Sequence, residues 1–248
     1  MTVAIKKRNV AVLGATGSVG LSTLDVIRRH PEQFSVSGLG GWTNVERIAT
    51  LANEFRPKMI GVSDVKESSL RQALPSALAK NIVSGSAGTE CLAPQKEASI
   101  VVAGISGAAG LKPIFSALSS GKTVLIANKE PLVMCGELLK EVARKSNAVL
   151  LPVDSEHNAV FQCLSEDHQT RVSQSFGVTQ GLDPSVIQIT LTASGGPFLR
   201  TPASDLKHVT KTQALRHPTW KMGEKITVDS ATLMNKGLEL IEACRLFD

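Results

Sequence analysis

Short apolar runs alternate with amphipathic segments over the first 150 residues of the chain. The first run, at 9–14, is apolar and ends in glycine, and the segment at 18–29 places leucine and isoleucine at helical spacing. Strands that are apolar throughout, rather than alternating, are typical of a parallel sheet covered on both faces. The pattern therefore predicts an α/β fold with a doubly wound parallel sheet. Further strands are predicted at 34–39, 58–62, 81–83, 99–103 and 123–127. Further helices are predicted at 44–55, 65–78, 88–95 and 111–118, and a last one follows the sixth strand and ends near residue 145.

The regular alternation stops near residue 150. We predict a helix at 156–164, a polar stretch at 165–184, a half-exposed strand at 187–192 and a long loop at 194–220, because the last segment is rich in Pro, Gly, Ser and Thr. Asp229 is expected to cap one final helix that runs to residue 246. We therefore divide the chain into a nucleotide-binding domain at 1–150 and an α+β catalytic domain at 151–248.

Composition narrows the class of protein. The chain has 248 residues, 42% hydrophobic and 20% charged, with a formal charge of +5 that is spread along the sequence. The four cysteines lie far apart, which is typical of a reduced, cytoplasmic setting. No segment has the pattern of a signal peptide or membrane span, and no basic stripe carries interleaved aromatics. We expect a soluble cytoplasmic protein with neither a membrane nor a nucleic-acid partner.

A glycine-rich turn joins the first predicted strand to the first predicted helix. Glycines let the backbone approach a pyrophosphate closely, and the helix N-terminus offers free N–H groups. A tight turn without a ligand is the alternative, but the position at the first strand–helix junction favours a dinucleotide. The residues expected to contact this cofactor are Gly14, Thr16, Gly17, Ser18, Val19 and Gly20.

The end of the second predicted strand indicates which dinucleotide binds. NAD sites usually place an acidic residue there to bind the ribose 2′-hydroxyl. The chain instead has Thr43 and Asn44, with Arg47 nearby, and these side chains could accept a 2′-phosphate. NADPH is therefore the expected cofactor.

Three carboxylates are candidates for a metal site. Asp154 and Glu156 lie at the start of one predicted helix and Glu239 lies on the last one. A ligand set of carboxylates without cysteine favours a hard cation, Mg²⁺ or Mn²⁺, over Zn²⁺. The simpler interpretation of Asp154 and Glu156 alone is that they complement the dipole of their helix.

Hydroxyl, amide and ammonium groups in the last third form a candidate phosphate site. Ser194 precedes two glycines, where the backbone can approach an anion, although such a loop by itself is usually only a turn. Ser230, Asn235 and Lys236 surround the start of the last predicted helix, and Asn235 shares a face with Glu239.

The order of these segments and their amino-acid sequences resemble those of the 1-deoxy-D-xylulose 5-phosphate reductoisomerase family from about Val10 onwards. The resemblance implies NADPH- and metal-dependent conversion of 1-deoxy-D-xylulose 5-phosphate to 2-C-methyl-D-erythritol 4-phosphate, a step of non-mevalonate isoprenoid precursor biosynthesis. The motifs that carry it are Ala127-Asn128-Lys129-Glu130, Asp154-Ser155-Glu156, His217-Pro218-Thr219-Trp220 and Asn235-Lys236-Gly237-Leu238-Glu239.

The resemblance also implies roles for individual residues. It makes Asp154, Glu156 and Glu239 the metal ligands, and it places Asn128, Lys129 and Glu130 at the nicotinamide side of the cofactor. Catalytic roles fall on Lys129, Glu156 and His217, and His217 and Trp220 belong to a mobile flap that closes over the substrate. His157 is interpreted as structural and Glu242 as supporting. The implied substrate-binding residues are Ser155, Ser194, His217, Trp220, Ser230, Asn235 and Lys236.

The extent of the resemblance raises alternatives. Family members continue past the Ile-Glu-Ala segment and are homodimers, so we expect this chain to lack the C-terminal portion of the enzyme and to dimerise when full length. One alternative is therefore a catalytically inactive nucleotide-binding fragment. Another Rossmann reductase, such as a semialdehyde or homoserine dehydrogenase, explains the glycine turn but not the carboxylate and phosphate segments.

Overall fold

The computed structural model of the protein describes residues 7–175, 186–220 and 222–247. Seven parallel strands form one sheet in the order β4-β3-β2-β1-β5-β6-β7. The order reverses between β1 and β5, and ligands of such sheets bind beyond the carboxyl ends of the strands at this switch point. The strands are β1 (Arg8–Leu13), β2 (Phe34–Gly40), β3 (Met59–Val62), β4 (Ile82–Ser84), β5 (Ile100–Ala103), β6 (Thr123–Ile126) and β7 (Val149–Pro152).

Helices cover both faces of the sheet, as the uniformly apolar strands predict. Val10 and Val12 of β1 belong to one buried apolar cluster, and Ala11 and Leu13 belong to the other. The helices are α1 (Ser18–Arg29), α2 (Val45–Phe55), α3 (Glu67–Ala73), α4 (Ser76–Ala79), α5 (Gly85–Leu92), α6 (Leu111–Ser119), α7 (Glu130–Ser146), α8 (Ser155–Cys163), α9 (Glu166–Ser175), α10 (Lys211–Ala214), α11 (Glu224–Ala231) and α12 (Met234–Phe247).

The doubly wound sheet is confirmed, but it is larger than predicted. All six strands predicted for this sheet are present, and β7 adds a seventh by pairing with β6. The predicted domain boundary at residue 150 therefore falls inside β7, and the sheet extends to Pro152. The division of the chain into two domains stays a prediction.

Several predicted elements in the helical layers were wrong in detail. The single helix predicted at 65–78 is a 3-10 turn followed by α3 and α4, because Pro75 interrupts it. The polar stretch that begins at 165 contains α9, and the rest of that stretch, from 176 to 184, lies outside the described residues. The one final helix is two, since Leu233 adopts a left-handed conformation (φ 61°) between α11 and α12.

The strand predicted at 187–192 was also wrong. Residues 186–196 have no regular secondary structure, and no described strand pairs with them. Ile189 and Leu191 pack against a buried cluster of the sheet instead, while Ile187 is 95% exposed. The alternating pattern thus reflects a segment that lies with one side on the core. In the described part of the chain, no helix combines the length and apolarity needed to cross a membrane.

Candidate active site

The glycine turn after β1 is tightly closed. Gly14 has φ 79°, and a Cβ added there would lie 2.4 Å from the carbonyl oxygen of Gly104. A Cβ on Gly20 would lie 2.4 Å from the carbonyl oxygen of Gly14. Helix α1 begins at Ser18 without a side-chain cap, so its first N–H groups are free to bind an anion. The turn fits the pyrophosphate of a dinucleotide. Thr16 and Gly17 lie within it, and Val19 lies in the first turn of α1.

The end of β2 lies beside this turn. Asn44 caps α2 by accepting a hydrogen bond from the backbone N–H of Arg47 (3.0 Å), and Arg47 Nη1 donates to the carbonyl oxygen of Thr16 (3.4 Å). Thr43 and Trp42 are exposed next to them. An amide, a hydroxyl and a guanidinium therefore lie together beside the glycine turn, and no carboxylate occupies the end of the strand.

Three carboxylates converge at the opposite side of the switch point. Asp154, Glu156 and Glu239 each offer an oxygen, and these three atoms all lie within 4.8 Å of one another. We call these residues the carboxylate cluster. Asp154 occupies the N-cap position of α8 but makes no capping hydrogen bond; it contacts Lys129 and His157 instead. Asp154 still lies at the start of α8, where its charge also complements the helix dipole, so the dipole and metal-ligand interpretations both stay predictions.

Two lysines contact the carboxylate cluster and offset part of its charge. Lys129 Nζ lies 2.8 Å from Asp154 Oδ1 and 3.6 Å from Glu239 Oε1, and its side chain is only 6% exposed. Burial favours the neutral amine, but these carboxylates outweigh it and hold the pKa of Lys129 above its usual value. Lys236 Nζ lies 3.2 Å from Glu156 Oε1 and also contacts Glu239 and the carbonyl oxygen of Thr192.

The carboxyl groups of Asp154 and Glu156 are ionised for related reasons. Burial opposes ionisation of Asp154, but hydrogen bonds from His157 and Lys129 lower its pKa. Burial also opposes ionisation of Glu156, whose pKa is lowered by the hydroxyl of Ser155 (2.5 Å) and by Lys236. Both carboxylates are therefore anionic and available to a cation at neutral pH.

His157 contacts two members of the carboxylate cluster, Asp154 and Glu239. Its side chain is fully buried; Nδ1 lies 3.0 Å from Asp154 Oδ2, and Nε2 donates to the backbone carbonyl oxygen of Glu239 at 2.9 Å. Burial disfavours the charged ring, but the bond to Asp154 and the charge of Glu242 raise the pKa of His157. Glu242, 3.5 Å from Nδ1, is itself fully buried, and burial raises its pKa to about 7. The sequence predicted a structural role for His157 and a supporting role for Glu242, but it did not predict that the two side chains contact each other.

The predicted phosphate-binding residues line one cleft beside the cluster. Its walls come from the loop before Gly195, from the end of α11 and from the start of α12. The break at Leu233 turns the chain so that the two helix ends face the same space, which the single predicted helix did not allow. The cleft is lined by Glu156, Ala193, Ser194, Gly195, Ser230, Leu233, Asn235 and Lys236.

The loop histidine contacts this cleft. His217 Nδ1 accepts hydrogen bonds from the backbone N–H groups of Thr219 (3.2 Å) and Trp220 (2.9 Å). The ring proton therefore resides on Nε2, which lies 3.1 Å from Ser194 Oγ. Trp220 is 63% exposed. We refer to residues 217–220 as the flap.

The segment after β6 lies between the glycine turn and the carboxylate cluster. Asn128 Nδ2 donates to the carbonyl oxygen of Gly107 at 3.4 Å, next to the loop that closes on Gly14. Glu130 at the start of α7 accepts a hydrogen bond from Lys225 Nζ at 2.5 Å. Lys225 was not among the predicted site residues, and its local signal in the sequence is Asp229 four residues later on the same helix face.

Comparison with known proteins identifies the family to which these features belong. Residues 10–136 match the 1-deoxy-D-xylulose 5-phosphate reductoisomerase family, and residues 150–247 match the C-terminal domain of the same family. The reductoisomerase of Ectopseudomonas mendocina (strain ymp) is 50% identical over 246 residues, and that of Pseudomonas putida (strain W619) is 51% identical over 243. Each alignment covers 97% of this chain, which spans only 59% of the length of either relative.

Solved structures give the same result. A crystal structure of DOX-P reductoisomerase in complex with NADPH, fosmidomycin and magnesium superposes with a TM-score of 0.86 at 43% identity, covering 97% of this chain and 58% of that one. The reductoisomerase of Zymomonas mobilis in complex with NADPH superposes with a TM-score of 0.82 at 40% identity, covering 98% and 59% respectively.

Proposed function

Since the chain belongs to the 1-deoxy-D-xylulose 5-phosphate reductoisomerase family, we propose that its site binds NADPH, a divalent cation and a ketose phosphate. The reaction is the conversion of 1-deoxy-D-xylulose 5-phosphate to 2-C-methyl-D-erythritol 4-phosphate. The observation that carries the proposal is the convergence of Asp154, Glu156 and Glu239 beside a polar cleft, at the same sheet edge as the glycine turn.

The donor set fits a hard cation. Asp154, Glu156 and Glu239 would hold Mg²⁺, because carboxylate oxygens are its preferred protein ligands and no thiolate is present among them. When bound, the cation supplies Lewis-acid stabilisation of substrate oxygens during the rearrangement. The ammonium groups of Lys129 and Lys236 offset part of the charge of the three carboxylates.

The glycine turn fits NADPH. The free N–H groups at the start of α1 would bind the pyrophosphate, and Asn44 and Arg47 would bind the 2′-phosphate. Asn128 and Lys129 follow β6 at the carboxyl edge, where the nicotinamide would lie. Lys129, protonated and buried, would donate a hydrogen bond to a substrate oxygen and hold it near the hydride donor.

The cleft fits the phosphate of the substrate. Ser194, Ser230, Asn235 and Lys236 offer hydroxyl, amide and ammonium donors, and Lys236 also reaches the cluster. His217 Nε2–H faces the same space and would donate to the substrate, while Trp220 would close over it and exclude water. Ser155 keeps the Glu156 carboxylate in position through its hydroxyl.

Turnover measurements test the proposal. NADPH oxidation should depend on both 1-deoxy-D-xylulose 5-phosphate and Mg²⁺, with formation of the branched product checked by NMR. Binding of NADPH and substrate without turnover would support the nucleotide-binding alternative. Failure to bind either compound would contradict the proposed function.

Three finer points belong to the same proposal. Mn²⁺ should replace Mg²⁺, because both are hard cations that accept carboxylate oxygens. We also propose that the protein assembles as a homodimer and works in the cytoplasm. Sedimentation of the purified protein and fractionation of its source cells test these two points.

A further inference from the structure

One lysine joins two distant parts of the site. Lys225 Nζ on α11 lies 2.5 Å from Glu130 Oε1 at the start of α7 and 2.6 Å from Asp229 Oδ2 one turn further along α11. The two carboxylate side chains are 19% and 15% exposed, and the lysine side chain is 52% exposed. We call this arrangement the Lys225 bridge.

Glu130 is the fixed end of the Lys225 bridge. Burial opposes ionisation of its carboxyl group, but the hydrogen bond from Lys225 and those from the backbone N–H groups of Glu130 and Gly107 lower its pKa. On the other side, burial alone would lower the pKa of Lys225, but Asp229 and Glu130 raise it. Glu130 and Lys225 are therefore both charged at neutral pH, and Glu130 is also anchored on the backbone at Gly107.

The groups next in sequence to the Lys225 bridge are those of the candidate site. Lys129, which contacts the carboxylate cluster, precedes Glu130. Ser230, which lines the cleft, follows Asp229. Helix α11 itself begins four residues after Trp220, so the bridge holds the end of the segment that contains the flap.

We propose that Lys225 is a positioning residue for the reaction, an inference that rests on the proposed function. It sets the distance between the cofactor side of the site, through Glu130, and the substrate side, through α11, Ser230 and the flap. A lone ion pair on an exposed surface would contribute little. Here one ammonium separates two carboxylates, so its loss leaves two anions facing each other and drives α11 away from α7.

The test uses Trp220 as a reporter. The chain has two tryptophans, and Trp42→Phe leaves Trp220 as the single fluorophore. In that background, Lys225→Met is compared with Lys225→Arg, which keeps the charge. The matched control is Lys211→Met, because Lys211 pairs with Glu224 in the same part of the chain at 3.7 Å and is 74% exposed. Acrylamide quenching is measured without ligand and with NADPH, Mg²⁺ and fosmidomycin.

Lys225→Met should increase quenching of Trp220 in the ligand-free protein, because α11 and the flap are no longer held in place. It should weaken fosmidomycin binding about tenfold, a smaller effect than the roughly hundredfold loss of rate that a misplacement of about 1 Å can cause. Lys225→Arg should restore both properties, and Lys211→Met should leave both unchanged. Equal results for Lys225→Met and its parent would overturn the inference, and so would equal impairment by Met and Arg. If the parent binds neither NADPH nor fosmidomycin, the proposed function fails, and ligand-free quenching still decides the role of Lys225.

Discussion

The two halves of the site are built in different ways. Around the glycine turn, the contacts join residues that β1, β2 and β5 bring to one sheet edge, and the backbone itself forms most of the surface. Around the carboxylate cluster, side chains far apart in sequence meet; Glu156 and Lys236 are 80 residues apart, and His157 and Glu239 are 82. The first half therefore depends on backbone shape, and the second depends on buried charges that compensate one another. Substitutions in the two halves should therefore impair the stability and ligand binding of the protein in different ways.

The largest effect is expected from breaking the buried charges. Asp154→Asn removes the anion that contacts both Lys129 and His157, and Lys129 keeps only its longer contact with Glu239 at 3.6 Å. The free energy of unfolding should fall by about 3 kcal/mol, the lower end of the usual loss when a buried ion pair is broken. Chemical denaturation measures this loss. Glu156→Gln is the matched control, because its partner Lys236 keeps Glu239 and lies nearer the surface, so about 1 kcal/mol is expected. Equal losses of unfolding free energy in the two variants would show that burial of the Asp154–Lys129 pair does not determine its contribution to stability.

Backbone shape is tested at Gly14. Gly14→Ala introduces a Cβ against the backbone of Gly104 at a positive φ, and we expect a loss of about 3 kcal/mol together with loss of NADPH binding. Gly237→Ala is the control, since a Cβ there meets nothing within 4 Å and α12 should gain up to about 1 kcal/mol. Retained NADPH affinity in Gly14→Ala would show that the shape of the glycine turn is not required for cofactor binding.

Glu242 gives the charged half a specific pH dependence. Its pKa is about 7 in the folded protein, against the ordinary glutamate value of 4.5 that applies to an unfolded chain, so the folded state binds the extra proton between these values. Its contribution to stability is therefore complete below pH 4.5 and declines as pH rises towards 7. Glu242→Gln should remove this decline and stabilise the protein at pH 8 by roughly 3 kcal/mol, at about 1.4 kcal/mol per unit of pKa. Denaturation in EDTA at about pH 5 and pH 8 measures the difference, and an equal effect at both values would contradict the assignment.

The smallest effect concerns the end of β2. Asn44→Ala removes the cap of α2 and should cost about 1 kcal/mol, and it should also reduce the preference for NADPH over NADH. Thr210→Ala removes a cap of α10 away from the cofactor, so it should leave that preference unchanged. Titration with both cofactors decides whether Asn44 reads the 2′-phosphate or only caps its helix.

The same contrast explains what sequence could predict. The sheet and the glycine turn follow from local patterns, because each depends on neighbours in the chain. The cap predicted at Asp229 was wrong, since Asp229 lies inside α11. The strand expected at 187–192 and the single final helix were wrong, since the position of Ile189 on the core and the turn at Leu233 depend on distant packing. Family resemblance supplied the carboxylate cluster, whereas the contacts of Lys225 and Glu242 required the folded chain.

The central claim is that three carboxylates from distant parts of the sequence form one divalent-cation site. Binding of Mn²⁺, followed by electron paramagnetic resonance, tests it most directly, with NADPH titration as a check that each variant is folded. We predict one site per chain that is lost in Glu239→Gln and weakened in Glu156→Gln, while the exposed control Glu224→Gln binds like the parent. Unchanged Mn²⁺ binding in both Glu239→Gln and Glu156→Gln would contradict the claim.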